Sequence, residues 1–171
     1  MILENMDYKT MAYIRSEAEF DRARRKGFWD MLLSLVSGAG LHLLSLDEAV
    51  ARLHPTSPSY QGVRDIPLKQ IVGSAGRPRD FTRHFLPCLG DMQNKERWRI
   101  IYTLVVTGQG FPPIEVYQLG QDYFVENGHH RVSVASYLGW ETIQARVMEL
   151  PIPAPDRPGL NNQPGCLKGA V

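Results

Sequence analysis

The stretch that decides the fold runs from Phe111 to Leu150 and reads FPPIEVYQLGQDYFVENGHHRVSVASYLGWETIQARVMEL. Residues 114–119 alternate apolar and polar side chains, and residues 123–125 are aromatic or β-branched, so both segments are predicted to be strands. Gly120-Gln121 between them suits a two-residue turn with a positive φ at its first position. The two strands are therefore predicted to form a hairpin.

The periodicity changes after Gly128. Apolar side chains then recur every three residues, as on a helix, at Val132, Ala135 and Leu138. Gly139 is suited to end this helix, and residues 143–148 alternate again like a strand. The predicted order is strand, hairpin, strand, tight turn, helix, strand, with the three apolar helical side chains buried.

The tight turn carries the most concentrated chemistry in the chain. A helix that begins directly after a strand leaves its first N–H groups unpaired and the positive end of its dipole exposed. Asn127 is suited to cap such a helix, and Gly128 lets a ligand approach the backbone closely. His129, His130 and Arg131 follow, and Arg131 can hold a phosphate by two parallel hydrogen bonds. The segment predicts a phosphate or carboxylate site; the alternative is a plain turn with a solvated basic helix end.

A second glycine- and arginine-containing segment precedes this stretch. Residues 66–72 are predicted to form a strand, and residues 73–76 form a loop that leads into Arg77, Arg79 and Asp80. The glycines permit close backbone approach, and the arginines are predicted to reach a second phosphate or a substrate carboxylate. The alternative is a surface loop in which Arg79 pairs with Asp80 or Asp65.

The first 61 residues are predicted to be a helical extension that ends in a linker. Residues 16–19 have a capping-box sequence, and an apolar face continues to about Ser37 through Phe20, Ala23, Phe28, Met31, Leu32 and Leu35. The basic residues Arg22, Arg24, Arg25 and Lys26 would touch nucleic acid or a membrane, or would simply be solvated. A second capping box, residues 45–48, predicts a helix to about Leu53, and residues 54–62 are predicted to be the linker.

Composition limits the function classes. The 171 residues are 43% hydrophobic and 22% charged, which suits one globular domain of residues 62–150 after the extension, and the net charge of +1 provides no overall attraction for nucleic acid. No apolar run approaches the ~20 residues of a membrane span. Two cysteines far apart and no signal-peptide pattern lead us to expect a cytoplasmic protein.

Two further segments flank the central motifs. Residues 91–107 are predicted to be a helix in which Trp98 has core spacing, the alternative being an aromatic ring that stacks on a base. Residues 151–171 are rich in proline, glycine and asparagine, and they are predicted to be a flexible tail.

The run from Ile66 to Leu150 resembles the ParB/sulfiredoxin superfamily. The resemblance rests on IPLKQI, an arginine-bearing loop, a helix, then PPIEVYQL, YFVENGHHR and a closing strand. It implies an α+β fold with a small mixed sheet and flanking helices, and a nucleotide phosphate site at the glycine-to-arginine turn. ParB proteins carry Gly-Glu-Arg-Arg in that turn, sulfiredoxins Gly-Cys-His-Arg, and free-serine kinases of this fold Asp-Gly-His-His-Arg. Residues 127–131 match the last pattern except at the first position.

The resemblance leaves the reaction open, because its members include a CTP switch on DNA, an ATP-dependent reductase and a small-molecule kinase. The reductase needs a thiolate where this chain has His129. No helix-turn-helix pattern follows Leu150, as a ParB protein would require. A kinase would need a carboxylate that accepts a proton, and Mg²⁺; the available carboxylates are Asp80, Glu126 and Asp122.

We therefore expect a nucleotide (ATP, ADP or CTP) or another phosphorylated small molecule, with Mg²⁺, at residues 127–131, assisted by Arg77 and Arg79. Phosphate hydrolysis or transfer would use His129, His130, Asp80 and Glu126. Adjacent histidines point about 100° apart on a helix, so no protein metal site is expected. The alternative is a nucleic-acid-associated regulatory protein whose arginine patches contact phosphates.

Overall fold

A mixed six-stranded sheet with helices packed around it forms the part of the chain that the computed structural model describes, residues 7–38, 40–88 and 94–153. The helices are α1 (Tyr8–Ser37), α2 (Leu46–Leu53), α3 (Lys95–Val106) and α4 (His129–Leu138). The strands are β1 (Leu44–Ser45), β2 (Ser59–Pro67), β3 (Ile71–Ser74), β4 (Ile114–Leu119), β5 (Asp122–Asn127) and β6 (Thr142–Glu149). The expected α+β class, with a helical N-terminal region, is confirmed.

The strand order across the sheet is β1-β3-β5-β4-β6-β2. Strands β1, β3 and β5 are parallel neighbours, whereas β5 pairs with β4 in an antiparallel hairpin. Strand β6 runs parallel to β4 and antiparallel to β2. Because β3 and β5 are parallel, their carboxyl ends lie at the same edge of the sheet, which brings the loop after Ser74 beside the turn at Gly128.

The hairpin and helix predicted for residues 114–138 are confirmed. Gly120 has a φ of +66°, as the two-residue turn requires, and α4 begins at His129 and ends at the C-cap Gly139. Val132 and Ala135 are buried in the main core with Ile114 and Ile143. Leu138 is only partly buried, because it lies at the end of α4 against α1 and α3 rather than under the sheet.

Three hydrophobic clusters hold the elements together. Helix α4 covers one face of the sheet, and α2 joins the cluster that contains Val72, Leu119 and Phe124. The third cluster joins α1, α3 and α4 through Phe20, Ala23, Trp98 and Val134. Trp98 is fully buried, so its predicted place in the core is confirmed and its ring is unavailable for stacking on a base.

The start of α1 was wrongly predicted. The helix begins at Tyr8, and the Asp7 carboxylate accepts a hydrogen bond from the Lys9 N–H at 3.3 Å. Ser16 lies inside the helix and is fully buried; its hydroxyl donates to the Tyr13 carbonyl at 2.5 Å and accepts from Arg99 Nε at 3.1 Å. A serine bonded to its own preceding turn has no need of a capping position. The second box does start α2, although Ser45 makes no side-chain capping bond.

The predicted apolar face of α1 is also wrong in its second half. Phe20 and Ala23 are buried, but Phe28 is 42%, Leu32 38% and Leu35 62% exposed. The apolar side chains of residues 28–37 form one broad arc around the helix, and a sequence pattern does not show whether that arc faces the core or the outer surface. The buried side in this part of the helix is formed by the small residues Gly27 and Ser34.

Boundaries between residues 54 and 74 differ from the prediction. Strand β2 begins at Ser59, inside the predicted linker, and the predicted strand 66–72 is divided between β2 and β3 by a 3-10 turn at Leu68–Gln70. Both halves contain β-branched residues, so the sequence shows no break there. Segment 1–61 contributes β1, which pairs with β3.

The end of the chain is described only as far as residue 153. Ile152 is 5% exposed and packs in the core, so the first residues of the predicted tail are ordered by tertiary contacts. Residues 154–171 of the flexible tail predicted for residues 151–171 lie outside the described residues, as do residues 91–93 of the predicted central helix. Each helix in the described ranges is too short or too polar to cross a lipid bilayer.

Replacement of Gly27 by alanine is expected to lower the free energy of unfolding by about 1–3 kcal/mol. The new Cβ would lie 2.5 Å from the Pro87 carbonyl oxygen and 3.3 Å from Leu86 Cβ, so the loop before residue 88 would have to move. This cost opposes the ~1 kcal/mol that alanine contributes to helix propensity. Urea unfolding measures the difference, with Gly40→Ala as the control, because an added Cβ at Gly40 meets no atom of the described residues within 4 Å apart from its chain neighbours. A Gly27→Ala protein as stable as the wild type would show that the contact is not tight.

Candidate functional site

The candidate site lies at the carboxyl ends of β3 and β5, where α4 begins. Gly128 is the N-cap residue and has a φ of +107°, a conformation that side chains disfavour. A Cβ there would lie 2.7 Å from Ile114 Cγ2 and 3.0 Å from Arg131 Nε, so the position requires glycine. Asn127, predicted to be the cap, is instead the last residue of β5, and α4 has no side-chain capping bond.

The first turn of α4 has unpaired backbone donors. Val132 is the first residue whose N–H donates along the helix axis, to the Gly128 carbonyl oxygen at 3.0 Å. Within the described parts of the chain, no acceptor serves the N–H groups of His129, His130 and Arg131. Such donors, together with the helix dipole, favour an anion.

His129 is held by a serine that sequence reasoning did not single out. Its Nε2 lies 2.7 Å from Ser74 Oγ, and both residues are buried. The same Oγ accepts hydrogen bonds from the N–H groups of Gly76 at 3.3 Å and Arg77 at 2.9 Å. Since these two donors occupy the oxygen's lone pairs, the hydroxyl proton is left to donate to Nε2. We therefore assign His129 as the neutral tautomer with its proton on Nδ1.

His130 is buried differently. His130 is 9% exposed, and its ring packs edge to face on the Phe81 ring, with 5.7 Å between the ring centroids. The His129 ring stacks on the same phenyl ring at a centroid distance of 6.1 Å. The Nε2 atom of His130 is buried and has no hydrogen-bond partner among the described residues. An unpaired buried nitrogen is costly and suits a site that a ligand completes.

Both histidines are uncharged at neutral pH. Burial, followed by the nearby Arg77 charge, lowers the pKa of His129 and that of His130 from 6.5 to about 4. Arg97 on α3 contributes further to the low pKa of His130. The imidazoles therefore supply neutral hydrogen-bonding groups, and the positive charge near the turn comes from arginine.

Arg131 is bound to backbone. Its Nη1 donates to the carbonyl oxygens of Pro112 and Pro113, both at 2.8 Å, and Nη2 donates weakly to Asn127 Oδ1 at 3.4 Å. Burial lowers the pKa of Arg131, with a partly opposing effect from Glu115. Arg131 thus fastens the entry of β4 to the first turn of α4, a different set of partners from the phosphate that the sequence predicts for it.

The charge of Arg77 lies near enough to both histidines to contribute to their lowered pKa values. Its side chain is 42% exposed and forms an ion pair with Asp80, Nε to Oδ2 at 3.4 Å. Arg79 is exposed in the same loop, and Glu126 is exposed near the end of β5. The structure therefore links Arg77 to Asp80 by an ion pair and to the histidines by its charge, whereas Arg79 and Glu126 are exposed and none of the contacts among the described residues joins their side chains to this group.

Sequence reasoning missed three residues of this neighbourhood: Ser74, Phe81 and Arg97. Ser74 was named only as part of a loop, although a serine between two glycines at a strand end could have been recognised as a loop-organising residue. Phe81 and Arg97 had no local signal, because their proximity to α4 comes from packing. In the described ranges, no three histidine, cysteine, aspartate or glutamate residues converge as metal ligands.

Comparisons with known proteins give little further identification. No family model and no curated protein sequence matches the chain. Among solved structures, the chain is similar to sulfiredoxin from Arabidopsis thaliana, with 17% sequence identity, over 51% of this chain and 84% of that chain. The TM-score of this match is 0.38.

Acidification is expected to destabilise the fold through the two histidines. Their pKa is about 4 when folded and 6.5 when unfolded, so between these values the unfolded chain binds more protons. The free energy of unfolding should have its full value above pH 6.5 and should fall towards pH 4, by about 1.4 kcal/mol per pH unit for each histidine. Urea unfolding from pH 7.5 to 4.5 measures this slope.

The variant His130→Gln cannot gain a proton in this range, so its slope should be shallower than that of the wild type. His54 is exposed, and its φ of +44° suits asparagine, which makes His54→Asn the matched control. An unchanged slope in His130→Gln together with a reduced one in His54→Asn would contradict the assignment.

Proposed function

We propose that this protein binds the phosphate group of a nucleotide or a related phosphorylated small molecule at the start of α4. The observation that carries the proposal is the set of three unpaired N–H groups at residues 129–131, with the Arg77 charge close enough to contribute to the lowered pKa of both histidines. Helix N-termini with free donors bind phosphate through hydrogen bonds and through the dipole, and arginine adds a charge-assisted contact.

The roles of the side chains follow from their present partners. Arg77 is half exposed, and within the described ranges its ion pair is with Asp80 at 3.4 Å, a pair that a phosphate can replace at small cost. Arg131 stays on the Pro112 and Pro113 carbonyls and holds the turn in shape. His130 Nε2, now without a partner, becomes a hydrogen-bonding group towards the ligand.

Turnover of the bound phosphate is a further part of the proposal. Proton acceptance from an attacking hydroxyl or water needs a carboxylate, and Asp80 would be released for this when Arg77 turns to the phosphate. Glu126, exposed at the end of β5, is the second candidate. Mg²⁺ would arrive with the nucleotide phosphates, since no cluster of acidic ligands is gathered in the described ranges.

A titration series tests the binding proposal. Melting temperature and calorimetric heat are measured with pyrophosphate, ADP, ATP and CTP, each with and without Mg²⁺, and with adenosine and cytidine as matched ligands that lack phosphate. We expect a raised melting temperature only with the phosphorylated compounds, because a ligand that binds the native state stabilises it by mass action. Equal effects of nucleosides, or no effect of any compound at millimolar concentration, would reject phosphate binding.

Nucleic acid is the alternative partner, and one observation favours it. Arg22, Arg25 and Lys26 are exposed on the outer surface of α1. Retention on a DNA column that falls steeply with salt, and that is lost in a triple glutamine variant of these residues, would support this alternative. Retention independent of these three residues would remove it.

A further inference from the structure

The second half of α1 presents an uncovered apolar surface. Six exposed side chains form this surface, here called the outer apolar face: Phe28, Trp29, Leu32, Leu33, Leu35 and Val36. Their exposed fractions are 42, 59, 38, 66, 62 and 84%, in that order. Single exposed hydrophobic residues are ordinary on protein surfaces, but a contiguous group of this size marks an interaction site.

This face lies opposite the side of α1 that meets the core. A helix turns about 100° per residue, which places the six side chains on an arc centred roughly 180° from Ala23, Gly27 and Ser34. Those three are the buried residues of this part of the helix. The only charged residue between positions 28 and 37 is Asp30, which turns away from this face to bond His84 Nδ1 at 2.7 Å. The outer apolar face is therefore uninterrupted by charge.

We propose that the outer apolar face binds the same face of a second copy of this chain, with the two α1 helices antiparallel. The six side chains expose on the order of 600 Å² per copy, so a pair would bury roughly 1,200 Å², the lower limit of stable interfaces. A two-fold axis between Leu32 and Leu33 makes the surface complementary to itself, as a symmetric dimer requires.

The charges beside the face select the antiparallel arrangement. Arg22, Arg25 and Lys26 are exposed at its N-terminal end, and the last turn of α1 contains no basic residue. Parallel helices would place the two basic groups side by side, where they repel. Antiparallel helices place Arg25 and Lys26 of one copy beside the C-terminal end of the other helix, whose dipole is negative.

Sedimentation velocity at several protein concentrations tests the association. We expect the wild type to be a dimer and Leu33→Glu to be a monomer with the same helix content by circular dichroism. Val63→Glu, which places the same charge on β2 at a residue that is 48% exposed, is the matched control and should remain a dimer. A monomeric wild type at all concentrations, or equal dissociation by both substitutions, would overturn the proposal.

Disulfide trapping in a Cys88→Ser, Cys166→Ser background tests the orientation. With a two-fold axis between Leu32 and Leu33, Leu33→Cys should form a covalent dimer on mild oxidation. Val36→Cys should not, because antiparallel packing places Val36 opposite Trp29, whereas parallel packing would place it opposite itself. Efficient linkage through Val36→Cys, or binding of the monomer to lipid vesicles through this face instead of to a second copy, would contradict the antiparallel dimer.

Discussion

Replacement of Trp98 by alanine is expected to lower the free energy of unfolding by about 3–5 kcal/mol, a large part of the stability of a domain this size. The indole is fully buried and joins three helices: it contacts the rings of Phe20, Tyr102 and Tyr137 at centroid distances of 5.5, 5.4 and 5.5 Å. Its Nε1–H donates to Ser133 Oγ at 3.1 Å, a buried hydrogen bond that alanine would also remove. Urea unfolding at one fixed protein concentration measures the loss.

Two further variants serve as controls for Trp98→Ala. Trp98→Phe keeps most of the ring volume and loses the bond to Ser133, so its cost should be intermediate. Trp140→Ala removes the same side chain from a site that is 39% exposed and stacked on Phe111, and it should cost far less. Equal losses for Trp98→Ala and Trp140→Ala would show that the cluster between α1, α3 and α4 does not support the fold.

The second large effect is expected at Arg77, on binding rather than on stability. Arg77→Gln should weaken the binding of a phosphorylated ligand about ten- to a hundred-fold, since a charge-assisted hydrogen bond is worth roughly 1.5–3 kcal/mol. Its melting temperature without ligand should change little, because the side chain is 42% exposed and its pair with Asp80 is solvated. Arg22→Gln, an exposed position on α1, is the matched loss of charge away from the site.

Arg131→Ala should give the reverse pattern. The Pro112 and Pro113 carbonyls lose their donor, so the melting temperature should fall, while the affinity of the remaining folded protein changes less than in Arg77→Gln. Arg131→Lys should recover part of the stability, because an ammonium group can donate to carbonyls but lacks the planar fork. A larger loss of affinity in Arg131→Ala than in Arg77→Gln, with an unchanged melting temperature, would return the role of phosphate ligand to Arg131.

Local patterns were sufficient for the hairpin and helix of residues 114–138. Alternation along β4, aromatic and β-branched residues in β5, and a glycine at the turn act over a few neighbouring residues, and the structure follows them closely. The position of Gly128 between β5 and α4 was predictable for the same reason. Hydrophobic periodicity and turn chemistry depend on neighbouring residues, so contacts with distant parts of the chain did not change the elements that they predict here.

Patterns failed where two local interpretations were equally good. Ser16 has the sequence of a helix start but bonds within a longer helix, and the 3-10 turn at Leu68–Gln70 divides a run that looks like one strand. The second half of α1 has one broad apolar arc, but the loop before residue 88 packs on the opposite side, at Gly27. Which side of a helix is buried depends on the segment of the chain that packs against it.

The sequence by itself determined the mixed strand and helix order around Gly128 and the concentration of nitrogen-bearing groups beside it. Tertiary structure alone decided their chemistry: it buried His129 and His130 and brought the Arg77 charge near enough to contribute, after burial, to a pKa of about 4 for each. It also bound Arg131 to the carbonyls of Pro112 and Pro113. The physical reason is that charge state and hydrogen-bond partners depend on solvent exclusion and on groups distant in sequence, whereas strand and helix signals are local.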